Sequence, residues 1–226
     1  MQLIRKGVPE SVNRGVSGGT AVRRVPAAWK KMKRATDILV GTACFVVSAP
    51  VVAVAALGIV AVTRGSPFYK QQRIGQDGRP FEMFKLRTMV EGAHEMRRDL
   101  MHLNEADGPV FKIADDPRLH PLGAFLRRTS IDELPNLINV LRGDISLVGP
   151  RPALPSEVEH YDQEAMRRLS VPQGMTCLWQ INGRSQVSFE DWMRLDNDYI
   201  DTWTPAMDLA IIARTIPAVL RRHGAR

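Results

Sequence analysis

The sequence contains few of the residues from which many functional sites are built. Among its 226 residues only Cys44 and Cys177 are cysteines, which is too few for a disulfide framework and fits a reducing compartment. The five histidines are scattered, and neither Cys-x-x-Cys nor His-x-x-x-His occurs, so a zinc site is not expected. A phosphate-binding loop and a Gly-x-Gly-x-x-Gly motif are also missing, which argues against a nucleotide-binding Rossmann unit.

Acidic residues are scarce at the N-terminus. Residues 1–36 contain nine Lys or Arg and one acid, Glu10, so they carry a net charge of +8, whereas the whole chain carries +7. The basic excess therefore belongs to a tail and not to a folded surface. The tail is rich in glycine and has little periodicity, which predicts that it is mostly disordered. Such tails bind nucleic acid or anionic lipid.

Charge is absent from residues 38–62, a run of 25 residues. A membrane-spanning helix needs about 20 apolar residues, so the run is long enough to span. Pro50, shortly after Ser48, falls in its middle and would divide it into halves of roughly 18 Å, each too short to span. Basic residues flank both ends, which favours the cytoplasm for each. We predict a membrane helix over residues 37–63, broken near Pro50, that either re-enters or spans.

The run of residues richest in chemical information is 127–152. Asp132 and Glu133 place two adjacent carboxylates where a helix is expected to begin, with Arg127 before them and Arg151 after them. A serine three residues before Glu133 completes a capping box, which would explain the carboxylates by structure alone. A nucleophile or metal ligand, with arginines and helix N–H groups that bind phosphate, would explain them as a functional site.

This run resembles the signature of the bacterial sugar transferases, also called polyprenyl-phosphate hexose-1-phosphate transferases or monotopic phosphoglycosyl transferases. The family pattern is roughly Leu-Arg-Arg-x-Ser-x-Asp-Glu-Leu-Pro-Gln-Leu, then Gly-Asp-Met-Ser-x-Val-Gly-Pro-Arg-Pro, and the chain departs from it at Asn136 and Ile145. The resemblance extends from about Lys33 to the C-terminal segment. It implies a membrane-associated α/β protein: a re-entrant helix followed by a small, helix-rich catalytic domain with short strands over residues 64–226.

The resemblance also implies roles for individual residues. Asp132 and Glu133 would be the catalytic pair and would bind Mg²⁺, with Asp132 forming a covalent phosphosugar intermediate. The cationic residues implied to bind the substrate phosphates are Lys85, Arg87, Arg127, Arg151 and Arg184. The residues implied to bind uridine are Trp179 and Gln180. The residues that match the family's Lys-Arg-x-x-Asp at the helix entrance, and would pair at the level of the lipid headgroups, are Lys33, Arg34 and Asp37.

Two details of the pattern bear on these roles. Lys85 and Arg87 alternate, so both would project from one face of an extended strand. Residues 172–177 lack the basic residue and the second glycine that the family commonly has there, which weakens any inference about donor specificity. Asp196 and Asp198 fit the Asp-x-Asp of metal-dependent glycosyltransferases, but positions i and i+2 of a helix do not share a face, so we expect no metal there.

Other segments have readable periodicity. Residues 64–90 predict two short strands around a turn at 76–78. Residues 91–108 and 157–169 have the polar or amphipathic pattern of helices. Residues 205–222 have the pattern of a helix at a membrane interface, although a helix packed on its own domain would look the same.

The reaction implied by the resemblance is transfer of hexose-1-phosphate from a UDP-hexose to undecaprenyl phosphate, with release of UMP, at the cytoplasmic face of the bacterial inner membrane. This step begins assembly of an exopolysaccharide or related glycan. The sequence leaves open whether the hexose is galactose, glucose or an N-acetylated sugar. Under this interpretation the tail binds anionic membrane lipid and not nucleic acid, and a homodimer is compatible with it. The alternative is a membrane-anchored, non-enzymatic binding protein whose Asp-Glu pair only caps a helix.

Overall fold

The computed structural model describes residues 25–182 and 187–220. The predicted tail, up to residue 24, and Arg184 lie outside them. The described helices are α1 (Ala27–Thr63), α2 (Gly123–Thr129), α3 (Leu137–Arg142), α4 (Pro155–Val158), α5 (Gln163–Met166), α6 (Leu178–Ile181), α7 (Phe189–Thr202) and α8 (Pro205–Leu220). The strands are β1 (Phe68–Ile74), β2 (Pro80–Leu86), β3 (Ser146–Val148) and β4 (Gly174–Thr176). The 3-10 segments are Gln76–Gly78, Glu95–Arg97, Met101–Leu103, Ile131–Asn136 and Arg167–Ser170.

The long helix α1 differs from its prediction in two ways. It begins at Ala27, directly after Pro26, so the predicted boundary between tail and helix at residue 37 is ten residues too late. The residues between are alanines, lysines and other good helix formers that extend the helix out of the apolar run. The helix also continues through Pro50 to Thr63, so the break predicted near Ser48 and Pro50 does not interrupt it. A proline removes only one backbone hydrogen bond, and the helix continues on both sides.

Most of the apolar surface of α1 is not covered by protein. Its length and composition are sufficient to cross a membrane. Val47, Val54 and Leu57 remain 77%, 71% and 71% exposed. So much contiguous apolar surface indicates association with a membrane. The predicted fold class, a long apolar N-terminal helix followed by a helix-rich domain with short strands, is confirmed.

The first turns of α1 are attached to the domain by a buried charged residue. Lys33 Nζ lies 2.6 Å from the Asp208 carboxylate and donates to the backbone oxygen of Val148 at 2.7 Å. Asp208 also accepts from the Tyr199 hydroxyl at 2.8 Å and from the Trp203 indole at 2.9 Å. Because every polar atom here has a partner, a buried lysine and a buried aspartate are tolerated. We call this cluster of Lys33, Asp208, Tyr199 and Trp203 the helix lock.

The neighbouring charged residues also contact protein groups. Arg34 donates to the backbone oxygens of Val140 and Leu141 at the end of α3, both at 2.7 Å. Asp37 accepts from the Ser146 hydroxyl at 2.8 Å and from the Leu147 N–H at 2.9 Å. The headgroup role predicted for Lys33, Arg34 and Asp37 therefore does not match the structure. Their polar atoms are used to hold α1 against α3 and β3.

The far end of α1 packs on the same domain. Ile59 is fully buried in a cluster with Leu86 of β2 and Leu126 of α2. Gly58 lies against Leu122, at a distance that leaves little room for a larger side chain. One domain thus contacts both the entrance and the exit of the apolar helix.

The predicted pair of strands over residues 64–90 is confirmed as an antiparallel hairpin. In its register Tyr69 pairs with Lys85, and Arg73 pairs with Phe81. The turn contains Asp77 at φ 55 and Gly78 at φ 73, two residue types that tolerate the left-handed region. Paired residues and alternate residues share a face, so Arg73 and Lys85 project from the same side of the hairpin.

Two predicted helices are not continuous. Over residues 91–108 the structure has only short 3-10 turns, and residues 157–169 are divided among short helical pieces. The polar periodicity of these segments does not supply enough buried apolar surface to stabilise long helices.

The centre of the domain is the parallel pair β3–β4. All three residues of β3 are buried, and a cluster that includes Val140, Leu147 and Ile211 packs around it. Gly149 and Gly174 approach so closely that neither position leaves room for a Cβ atom. This close contact fixes the turn that follows β3, residues 149–152, against β4.

We predict that Asp208→Asn destabilises the domain by about 3–5 kcal/mol, because it leaves Lys33 charged and buried without a countercharge. Chemical unfolding of the detergent-solubilised protein would measure the loss. Glu82→Gln is the matched control. It removes an exposed ion pair with Lys70, whose two side chains are 58% and 61% exposed, and should cost about 1 kcal/mol or less. Equal small losses for the two variants would contradict a stabilising role for the helix lock.

Candidate active site

The two predicted catalytic carboxylates lie on a short 3-10 segment. Ser130 begins it at φ 55 in the left-handed region, and its side chain caps nothing, so the capping-box interpretation does not describe this turn. The buried amide of Asn139 ties the segment's continuation to β2, since it accepts from Phe84 N–H at 3.1 Å and donates to the Glu82 oxygen at 2.8 Å. The carboxylates of Asp132 and Glu133 are thereby held beside the hairpin.

The carboxylates of the pair are in different electrostatic environments. Burial raises the pKa of Asp132 to about 6, and the negative charge of Glu133 adds to the shift. Burial alone would also raise the pKa of Glu133, but Lys85, Arg151 and Arg73 outweigh it and hold that pKa at about 2. Glu133 is therefore the firmly ionised member, and Asp132 is the member whose charge is poorly stabilised.

Lys85 is the closest cation to the pair. Its Nζ atom lies 3.0 Å from Glu133 Oε1, and the Lys85 side chain is 13% exposed. Arg87, predicted to project beside it, lies beyond the end of β2. Its guanidinium contacts Gly65, just after the exit of α1, although it still borders the same cleft. The two residues therefore flank different parts of the site.

Arg73 is a site residue that the sequence reasoning missed. It is 4% exposed and donates to the Pro152 oxygen at 3.0 Å. Burial and the nearby Arg151 lower its pKa to about 10. The hairpin register was the signal that could have identified it, because alternation from Lys85 through the predicted turn places Arg73 on the same face.

Arg127 faces Asp132 from the end of α2. It donates to the Thr88 hydroxyl at 3.1 Å, and its guanidinium lies 3.9 Å from Asp116. Asp116 is in turn held by two hydrogen bonds from the buried Arg118, at 2.8 and 2.6 Å. Because Asp116 is held in place by Arg118, the contact with Asp116 gives the Arg127 guanidinium a fixed position beside the cleft.

Arg151 lies on the turn after β3, and the backbone carbonyls of residues 150–152 accept hydrogen bonds from other parts of the domain. The Pro150 oxygen accepts from Gly174 N–H at 2.8 Å. The Arg151 oxygen accepts from Arg168 at 3.0 Å, and the Pro152 oxygen accepts from Arg73 at 3.0 Å. Arg168 is 1% exposed and also pairs with Asp196 at 2.8 Å. Asp196 is therefore part of the support of this turn. Asp198 is exposed on another face of α7, as the spacing predicted.

An aromatic wall stands across the cleft from the carboxylates. The rings of Trp179 and Trp192 lie 4.6 Å apart, and the Trp179 indole N–H is buried with no hydrogen-bond partner among the described residues. Gln180 also borders the cleft, where its amide oxygen accepts from the Cys177 thiol at 3.2 Å. Arg184, predicted to bind phosphate, lies outside the described residues.

These elements surround an open cleft of about 1710 Å³. The predicted residues that border it are Asp132, Glu133, Lys85, Arg87, Arg127, Arg151, Trp179 and Gln180. Such a space exceeds what a small molecule needs and accommodates a ligand with an anionic part and an aromatic part. The cleft therefore combines one ionisable nucleophile candidate, several cations and an aromatic wall.

The carboxylate pair is a candidate site for Mg²⁺. Among the described residues no cluster of three or more His, Cys, Asp or Glu side chains has the arrangement of a metal site. Mg²⁺, however, is commonly held by one or two carboxylates together with substrate phosphate oxygens. Asp132 and Glu133 provide such a pair within a cleft rich in cations, so the donor set fits a metal shared with a bound diphosphate.

The fold and site together define a protein with a long apolar N-terminal helix, which indicates membrane association, and a cleft in which a carboxylate pair lies among several cations. The family model described as "Bacterial sugar transferase" matches residues 28–222. The chain belongs to the bacterial sugar transferase family, and the family prediction is confirmed.

Curated relatives agree with this assignment. The chain is 37% identical over 196 residues to "Exopolysaccharide production protein ExoY" of Rhizobium meliloti, covering 85% of this chain and 87% of that protein. It is 38% identical over 203 residues to "Undecaprenyl-phosphate galactose phosphotransferase" of Salmonella typhimurium, covering 86% of this chain but 41% of that protein. It is also 38% identical over 203 residues to "UDP-glucose:undecaprenyl-phosphate glucose-1-phosphate transferase" of Caulobacter vibrioides, covering 85% of this chain and 71% of that protein.

We predict that Asp132→Asn increases stability at pH 7. A carboxyl whose pKa is raised on folding, here from 3.8 to about 6, binds its proton more tightly in the folded chain. The contribution of the Asp132 carboxyl to the free energy of unfolding therefore falls as the pH rises from about 4 to about 6. An asparagine side chain does not ionise, so the variant avoids this loss of about 1–3 kcal/mol.

Glu133→Gln is the control for this prediction and should have the opposite effect. The pKa of Glu133 is lowered on folding, so its stabilisation is present above about 4.5 and disappears as the pH falls towards about 2. At pH 7 the variant should therefore be less stable than wild type. Unfolding curves of both variants without substrate provide the measurement, and a destabilised Asp132→Asn protein would contradict the raised pKa.

Proposed function

We propose that the protein transfers hexose-1-phosphate from a UDP-hexose to undecaprenyl phosphate, giving undecaprenyl-diphosphate-hexose and UMP, and so begins exopolysaccharide or related glycan assembly. The observation that carries the proposal is the Asp132–Glu133 pair, with Asp132 buried and Glu133 partly buried, whose pKa values are shifted in opposite directions inside a cation-lined cleft. Family membership and the printed activities of relatives support the same reaction.

The chemistry divides into two displacements at one phosphorus atom. Asp132 attacks the β-phosphorus of the donor, the bond from that phosphorus to the bridging oxygen breaks, and UMP leaves with the electron pair. An oxygen of the lipid phosphate then attacks the same phosphorus and displaces the Asp132 carboxylate. A covalent step of this kind lets the soluble donor and the lipid acceptor use one site in turn.

The two carboxylates have separate tasks in this mechanism. Glu133 is paired with Lys85 at 3.0 Å, which makes it a poor nucleophile and a stable anion. Asp132 is less well stabilised as an anion, and its pKa of about 6 keeps it largely ionised at neutral pH and reactive. Bound Mg²⁺, held by this pair and the diphosphate, would neutralise charge on the phosphoryl groups.

The cations supply the remaining charge stabilisation. Lys85, Arg127 and Arg151 approach the pair from β2, α2 and the turn after β3, so they surround the position of the transferring phosphoryl group. Positioned cations of this kind stabilise developing charge without having to reorganise during the reaction. Arg87, which borders the cleft, and Arg184 are also proposed to bind substrate phosphate.

The donor's uridine is proposed to bind at the aromatic wall. Trp179 borders the cleft, its ring is supported by Trp192, and its indole N–H has no protein partner. An aromatic face and an unused donor suit a flat, hydrogen-bonding base. Gln180 lies beside it. For the hexose we propose galactose or glucose, since relatives of similar identity carry each of the two names.

The protein is proposed to act from the cytoplasmic face of the bacterial inner membrane with α1 re-entrant. Lys33 and Ile59 are about 39 Å apart along an α-helix, more than the roughly 30 Å of the hydrocarbon layer. Both are nevertheless buried against the same domain, by the helix lock and by Leu86 and Leu126. A folded domain cannot contact both ends of a spanning helix from one side, so this arrangement supports re-entry. The helix is continuous through Pro50, and we propose that it bends there without being interrupted, because a proline can kink a helix.

We predict that Asp132→Asn lowers turnover by several orders of magnitude while the protein remains folded and still binds UDP-sugar. Wild type mixed with donor alone should release UMP in a burst near one equivalent and gain the mass of one hexose phosphate on the peptide containing Asp132. The variant should do neither.

The controls separate the alternatives for this prediction. A panel of UDP-sugars, including UDP-galactose and UDP-glucose, identifies the donor before the variant is tested. No turnover with any donor would favour the non-enzymatic binding protein. Near-normal turnover by folded Asp132→Asn would end the nucleophile assignment, and an adduct on Glu133 would exchange the two roles.

We predict that both ends of α1 lie in the cytoplasm. Single cysteines replacing the exposed Lys31 and Lys70, in a background with Cys44 and Cys177 changed to alanine, should resist an impermeant thiol reagent in intact spheroplasts. Both should react after lysis. Labelling of one position alone in intact spheroplasts would show that α1 spans the membrane.

A further inference from the structure

A second, smaller cavity lies between α1 and the segment that carries the carboxylate pair. It has a volume of about 250 Å³. Phe45, Ala49 and Ala53 border it from the helix, and Pro135 and Ile138 border it from the domain. We call it the helix groove. It is separate from the aromatic wall and from the cations described above.

The helix groove offers no polar partner to a ligand. Its bordering side chains are apolar apart from Ser48, whose hydroxyl donates to the Phe45 backbone oxygen at 3.3 Å. A donor molecule with a diphosphate, a sugar and a base would lose its hydration there and gain nothing in return. Only an apolar chain can occupy this space favourably.

The groove and the active-site cleft share a boundary. Leu134 borders both spaces, and it directly follows Asp132 and Glu133 in the chain. An apolar chain in the groove would therefore have its polar end next to the carboxylate pair. The groove also adjoins the exposed apolar surface of α1, since Phe45, which borders the groove, is followed by Val46, which is 63% exposed.

We propose that the helix groove binds the isoprene units nearest the phosphate of the lipid acceptor, and so positions that phosphate for attack at the Asp132 intermediate. This inference rests on the proposed function. An isoprenoid chain can pass from the bilayer through the groove to the cleft without contact with water. The groove thus selects the acceptor by its chain, whereas the cations recognise its phosphate.

The small residues of α1 provide the room for this chain. Ala49 and Ala53 are one helical turn apart and lie on the same face. Larger side chains at these positions would fill the groove without touching the carboxylates. Val47 and Val54, at 77% and 71% exposure, are on the outer surface of the helix and do not border the groove.

The test uses the full-length protein in nanodiscs and compares Ala49→Leu and Ala53→Leu with the control variants Val47→Leu and Val54→Leu. The groove variants should raise KM for undecaprenyl phosphate about tenfold or more, the size of effect that one misplaced apolar group has in a binding pocket. UMP release from donor alone, which needs no acceptor, should proceed in them. The controls should keep the wild-type KM.

A second arm replaces undecaprenyl phosphate with a straight-chain alkyl phosphate. If the groove recognises the isoprenoid chain, the KM of wild type should be lower for undecaprenyl phosphate than for the alkyl phosphate. This difference in KM should be smaller in the groove variants. An unchanged acceptor KM in variants that still release UMP from donor would overturn the inference. Failure of wild type to release UMP from donor alone would instead contradict the covalent mechanism in the proposed function.

A crosslinking measurement covers the case in which the leucine variants do not fold. A polyprenyl phosphate with a diazirine on its first isoprene unit is photolysed with the wild-type protein. Adducts on the residues that border the groove, such as Phe45, Ala49, Ala53, Pro135 and Ile138, would support it. Adducts confined to α8 or to the exposed face of α1, such as Val46 and Val47, would overturn it.

Discussion

The constraint on which this structure depends is the burial of two adjacent carboxylates. Two negative charges removed from water need cations close by, and each cation needs its own partners. Lys85 comes from β2, Arg73 from β1, Arg127 from α2, and Arg151 from the turn after β3. Four separate parts of the chain therefore have to converge, and much of the small domain is arranged to hold those four side chains.

Local chemistry made much of the site predictable. The carboxylate pair with its neighbouring arginines is one short run of sequence, and the hairpin turn is another, so composition and spacing within each run identify them. The support of Arg151 by Arg168 and Asp196 was not predictable, because it depends on burial and on partners from distant elements. At Ser130 a local pattern was misleading. The sequence Ser-x-x-Glu fits a capping box, but in the fold Ser130 adopts a left-handed conformation and its side chain forms no cap.

Helix α1 belongs to both the membrane and the domain. One face meets lipid, and the other is fixed by the helix lock, by Ile59 and by the walls of the helix groove. A soluble donor and a lipid acceptor differ in almost every physical property, and a single site can serve both only at such a boundary. In the proposed reaction the cleft takes the soluble donor and the groove takes the apolar chain of the acceptor, and Leu134 borders both.

The helix lock also has a consequence for biosynthesis. Lys33 and its partner Asp208 are 175 positions apart in the chain. At a translation rate of about 5–20 residues per second, roughly ten to thirty seconds separate their synthesis. During that interval α1 is already made, while the carboxylate that neutralises its buried lysine does not yet exist. Until Asp208 is synthesised, Lys33 can keep its charge only in contact with water. The attachment of α1 to the domain through the helix lock is therefore completed last, by the C-terminal part of the chain.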